Sequence, residues 1–130
     1  MQLKILQEII NQMNNYSKIN TDFLKSFTNN NPEKIKKYVR LFLNTAPEAI
    51  LLMKQYHTSS EWAQLKTTAH SLKPQLAYMG IDCLKETILR IEEYAGEGKN
   101  PEMISEMITH VEKNCSIAFI ELEDFVNSLP

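Results

Sequence analysis

The chain has 130 residues, a formal net charge of −2 and an apolar share of 43%, which suits one domain whose core needs neither disulfides nor metal. That charge balance argues against a general nucleic-acid binder, which needs a basic face to displace counterions from phosphates. No apolar run approaches the length of a membrane span, so no membrane segment is expected.

In chain order, residues 1–15 open with Leu3, Leu6, Ile10 and Met13 on one helical face, and Ile5 and Ile9 lie beside it. The pattern contains Glu8 and is not a basic start followed by an unbroken apolar run. No signal peptide is therefore expected, and the expected compartment is the cytoplasm. A polar run from Asn11 to Asn15 weakens the end of this helix. The segment packs on the rest of the chain, dimerises, or ends a linker; its pattern leaves all three open. The remaining residues, 16–130, read as one domain.

A short helix is expected over residues 20–28, with Asn20 as its cap and Ile19, Phe23 and Phe27 as its apolar repeat. Asn29-Asn30-Asn31 then turns the chain. The next helix starts with Asn31 as N-cap, Pro32 at its first position and Glu33 in the positive first turn. Its seam is Ile35, Val39, Phe42, Ala46, Ala49, Met53 and Tyr56, and the spacing is kept across Pro47. One helix kinked at Pro47 is expected, restarted by a capping box at Thr45-x-x-Glu48. It ends near His57, read as a solvated residue at a helix C-terminus. The basic cluster Lys34, Lys36, Lys37 and Arg40 reads as a solvated face.

Ser59 or Ser60 is expected to cap the following helix, whose seam is Trp62, Leu65, Ala69, Leu72, Leu76 and Met79. Gly80 ends it. Asp82 is expected to cap the next, with seam Leu84, Ile88, Ile91 and Ala95, stopped by Gly96-Glu97-Gly98. Its Glu92-Glu93 pair reads as exposed charge. The short link through Gly80 makes the two helices antiparallel neighbours. The last helix starts at Asn100-Pro101 and carries a long seam from Ile104 through Ile108, Val111, Cys115, Ala118, Leu122 and Phe125 to Leu129. His110 borders that seam. The four long helices share a repeat of about 3.5 residues, the spacing of shallow-angle bundle packing. The expected fold is all-α: an antiparallel up-down four-helix bundle with one or two additional short N-terminal helices.

The chemistry concentrates at Ala69-His70-Ser71-Leu72-Lys73-Pro74. At 3.6 residues per turn the seam centre lies about 150° around the helix from His70, so the imidazole faces away from the core. Lys73 and Lys66 share its side, and Ala77 is too small to cover it. Pro74 has no N–H, so the carbonyl of His70 loses its helical partner and a kink is expected there.

Ala69, His70, Leu72 and Lys73, with Gly80 ten residues after the histidine, resemble the signature of histidine-containing phosphotransfer (HPt) domains. The resemblance extends from about Ile19 to the last helix in the order and length of the elements. Pro74 departs from it, since family members commonly carry Gly there. The resemblance implies that His70 is a phosphoacceptor attacking through Nε2 and that Lys73, and to a lesser degree Lys66, offsets phosphoryl charge. Ala77, Tyr78 and Ile81 are then the candidate docking residues, although Tyr78 and Ile81 equally suit packing on the neighbouring helix. The implied partners are response-regulator receiver domains, with a hybrid sensor histidine kinase as a further candidate. No cofactor or metal is implied on this chain; Mg²⁺ is expected on the receiver.

Other chemistry finds little support. Cys83 and Cys115 are far apart, and with three scattered histidines they make no zinc spacing. Cys115 lies on the last seam and reads as a core residue, whereas Cys83 falls in a predicted first helical turn. No phosphate-binding glycine loop, nucleophile elbow or Glu-x-x-His pattern occurs. The resemblance therefore implies a phosphohistidine carrier rather than an enzyme. The alternative is a non-catalytic interaction module that uses the same helix face.

Overall fold

The computed structural model describes residues 16–130, so the expected N-terminal helix lies outside the described residues. The described chain is all-helical, without strands. It runs α1 (Asp22–Phe27), α2 (Pro32–Thr58), α3 (Trp62–Tyr78), a 3₁₀ turn (Asp82–Leu84), α4 (Lys85–Glu97) and α5 (Pro101–Asn127). The long helices pack in a closed ring: α2 on α3, α3 on α4, α4 on α5 and α5 back on α2.

The ring forms because each seam becomes a buried stripe. Leu65, Ala69, Leu72 and Leu76 of α3 meet Leu84, Ile88, Ile91 and Ala95 from the next stretch, all buried. Each fully buried Leu or Ile contributes about 1.5–3 kcal/mol relative to exposure. Cys115 is a core residue as expected, and burial pushes its thiol up to about 12. In α2 the core takes Ile50 fully and Ala49 only in part.

The start of α2 follows the sequence: Asn31 accepts from the Lys34 N–H at 3.0 Å and Pro32 opens the helix. The helix then continues through Pro47 to Thr58. The expected capping box is absent: the Thr45 hydroxyl lies 3.0 Å from the Leu41 carbonyl and 3.1 Å from the Gln75 amide oxygen. Neither serine caps α3, whose N-cap is Glu61 without a side-chain bond. Ser60 instead takes positive φ in the turn, and the Ser59 hydroxyl bonds back to α2. Asp82 does not cap α4 either, because it opens the 3₁₀ turn that also holds Cys83. His57 is not simply solvated: its Nε2 donates to the Pro101 carbonyl at 2.7 Å and its ring meets Trp62 edge-on.

Glycine matters most at Gly80. There φ is +67°, and a Cβ would stand 2.0 Å from the Asn20 carbonyl oxygen. The Asn20 N–H donates to the Gly80 carbonyl at 3.1 Å, so the entering chain crosses directly over the end of α3. Upstream, Glu121 clamps that chain by accepting from the N–H groups of Ser17, Lys18 and Ile19 and from the Ser17 hydroxyl.

The apolar face of α1 differs from expectation. Ile19, Leu24 and Thr28 are buried, whereas Phe23 and Phe27 point outward. With only one and a half turns, α1 docks through Leu24; its two rings stack on each other, and Phe23 also stacks on Tyr78.

Candidate functional site

The apolar seam of α3 faces inward, so the opposite side of that helix is left to water, and His70 sits there with its side chain 67% exposed. Its Nδ1 lies 2.8 Å from Oε1 of Glu92 on α4. A carboxylate oxygen accepts, so Nδ1 carries the proton and donates it. In the neutral ring, Nε2 is then left with its lone pair. The other oxygen of Glu92 accepts from Lys73 Nζ at 2.9 Å. One carboxylate thus holds both candidate side chains of α3, each through a charge-assisted bond.

Glu92 is well suited to that position. Partial desolvation pushes its carboxyl up, but the hydrogen bonds from Lys73 and His70 outweigh this and hold it below the ordinary glutamate value. The carboxylate form, which can only accept, is therefore favoured. From the sequence alone Glu92 is expected as exposed charge. It stands one residue after Ile91 on α4, at the border of the buried stripe. That position was visible as a flank of the apolar seam, but its meeting with His70 was not.

An open groove of about 620 Å³ borders His70 and Lys73, continues past Pro74 and Ala77, and reaches Lys85 and Leu89 across the 3₁₀ turn. Ala77 is exposed, as access to the ring requires. Ile81 is 1% exposed, which corrects its assignment as a docking residue. It is buried because the chain turns inward after Gly80, where the Ile81 N–H bonds back to the Leu76 carbonyl. Tyr78 is half exposed, with its ring stacked on Phe23 at 5.6 Å. Lys66 leans over Gly96, where its Cδ would stand 3.2 Å from an added Cβ. Lys85 lines the same groove as Lys73, a second cation that nothing in the sequence pattern singles out. Ala69 and Leu72 are fully buried, and α3 runs unbroken through Pro74. Among the described residues, no group of three or more His, Cys, Asp or Glu could hold a metal.

A packed helical domain that presents one oriented imidazole beside a lysine has the character of a group carrier: a reacting group can reach the ring from solvent. The chain belongs to the Hpt domain family, which it matches over residues 37–127. Hpt domains are phosphocarriers of two-component signalling systems and work with response-regulator receiver domains. No curated protein and no solved structure matches the chain.

Proposed function

We propose that His70 is the phosphoacceptor of this Hpt domain, taking a phosphoryl group from the aspartate of one receiver and passing it to another. The observation that carries the reading is the Glu92–His70 bond, which leaves Nε2 as the free nucleophile at the accessible edge of the ring. In the forward step the Nε2 lone pair attacks phosphorus. The bond from phosphorus to the aspartyl oxygen breaks, and that oxygen leaves as carboxylate. Positive charge builds on the ring as the N–P bond forms, and Glu92 offsets it through the Nδ1–H.

Lys73 has three donors, of which one is directed to Glu92. The others are free for phosphoryl oxygens. Lys66 adds positive potential from one turn away, and Lys85 does so from the wall of the groove. The receiver docks along Pro74, Ala77 and Tyr78, the exposed ridge beside His70. Mg²⁺ is held by the receiver, with no cofactor on this chain, and a hybrid sensor kinase is a source of the donor receiver. We read the four long helices as an antiparallel up-down bundle, which their short connections support.

The test is transfer from a receiver phosphorylated by a small-molecule donor to the native chain and to His70→Gln. An acid-labile, base-stable label on the native chain that is absent from the variant is the expected result. A label that survives in the variant would move the site elsewhere. Binding without any label would favour an interaction module.

A further inference from the structure

Two contacts fix how α3 meets α4. Lys66 lies against Gly96, its Cδ 3.2 Å from where a Cβ would stand, and His70 bonds to Glu92 at 2.8 Å. The contacts run in opposite order along the two helices, so two turns further on Ala77 comes opposite Lys85, and both line the groove beside His70. Ala77 follows His70 by seven residues, and Lys85 precedes Glu92 by seven, which places Lys85 about 10 Å along the groove from the imidazole. The surface between them is apolar, formed by Pro74, Ala77 and Leu89. Lys85 is exposed, and among the described residues its ammonium takes part in no ion pair. Asp82 lines the same groove but forms no pair with it. Lys85 also stands in the first turn of α4, where the helix dipole disfavours a cation. It does not stabilise its own helix; its charge is offered outward.

We propose that Lys85 is a specificity-determining residue for the receiver: it selects a partner with a carboxylate on the rim of its phosphorylated site, about 10 Å from the aspartate that meets His70. The proposal rests on His70 as the phosphoacceptor. Charge complementarity names the occupant. A receiver that holds Mg²⁺ does so with carboxylate oxygens, so the surface it brings to His70 is acidic. Lys73 is already bonded to Glu92, whereas Lys85 has its charge to give. Ten ångströms is about one Debye length, so salt screens most of what Lys85 does at the phosphoryl group itself. Its stronger interaction is with a carboxylate directly over it. Docking on Pro74, Ala77 and Leu89 expels water around that pair, and the lower dielectric strengthens it. A receiver with a lysine or arginine at that place meets like charge instead and is rejected.

The test is single-turnover labelling of the full chain at rising concentrations of a phosphorylated receiver domain, which separates half-saturation from maximal rate. Lys85→Ala should raise the half-saturating concentration about threefold and Lys85→Glu about tenfold, with the maximal rate changed less than about twofold. Lys85→Arg should stay native. Lys113→Glu, an exposed change of the same charge on α5, serves as the control and should also stay native. The gap between native and Lys85→Glu should close as salt is added. Glutamate suits the first turn of a helix, so weaker docking in Lys85→Glu is not a loss of fold. Transfer to Lys85→Glu with the half-saturation of Lys113→Glu would overturn this proposal and leave His70 as the phosphoacceptor. A loss confined to the maximal rate would overturn it by putting Lys85 at the phosphoryl group. A native chain that takes no label from any of a panel of receivers would overturn the phosphoacceptor reading and this proposal with it.

Discussion

Glu92→Ala is the most informative perturbation of the site. It removes the acceptor from Nδ1 of His70 and from Lys73 in one step, and it leaves the buried stripe of α4 in place. A hydrogen bond to a charged partner contributes about 1.5–3 kcal/mol when shielded. The His70 side chain is 67% exposed, so water replaces part of that bond and the lower end applies. A loss of about 1.4 kcal/mol in the transition state corresponds to about a tenfold slower transfer. Glu92→Gln keeps an acceptor for Nδ1 but surrenders the charge, and falls between the two. The assay is single-turnover transfer from a phosphorylated receiver, read beside the nitrogen chemical shifts of the His70 ring. In the native chain the neutral ring carries its proton on Nδ1; in Glu92→Ala the proton shifts toward Nε2, which blunts the nucleophile. An alanine variant that transfers at the native rate, with the ring still protonated on Nδ1, would refute the reasoning.

Three further outcomes concern stability. Gly80→Ala forces a Cβ to within 2.0 Å of the Asn20 carbonyl oxygen at φ +67°, so a drop of more than about 2 kcal/mol in urea denaturation is expected. Pro74→Ala returns an N–H to the His70 carbonyl. The net helix-interior penalty of proline relative to alanine is about 3 kcal/mol, so a gain of up to about that size should appear as a higher Tm. For Glu121, desolvation raises the carboxyl pKa, but three N–H groups and a hydroxyl outweigh this and set it below its unfolded value. Its stabilisation is therefore present above the unfolded glutamate pKa and is lost as pH falls through the lower folded value. The protection factors of the Ser17, Lys18 and Ile19 amides, taken relative to the intrinsic exchange rate at each pH, should fall over that acid window, and Glu121→Gln should remove this pH dependence of protection.

The seams of the four long helices were legible because period is a property of the chain itself, and residues three and four apart must share a face. Ile88, Ile91, Ile108 and Leu122 are buried where the spacing put them. The exposure of His70 follows from the same arithmetic, since a residue opposite a buried stripe faces solvent. Caps were legible only where one side chain dominates. Asn31 has Pro32 behind it to fix the helix start, whereas Ser59, Ser60 and Asp82 compete with turn geometry and lose. The face of α1 was misread because a helix of six residues has too few repeats for a period to decide.

By itself, then, the sequence determined which stripe of each long helix is buried and that His70 and Lys73 share one exposed face. Both are consequences of helical pitch acting on near neighbours. Only the tertiary structure decided what stands opposite them. Glu92 comes 22 residues after His70, and its carboxylate reaches the imidazole because α4 packs against α3. Tyr78 and Phe23 meet in the same way, across the turn where Asn20 crosses Gly80. Contacts of that kind depend on how two helices are aligned along and about their axes. That alignment is set by the whole core rather than by any local run of residues.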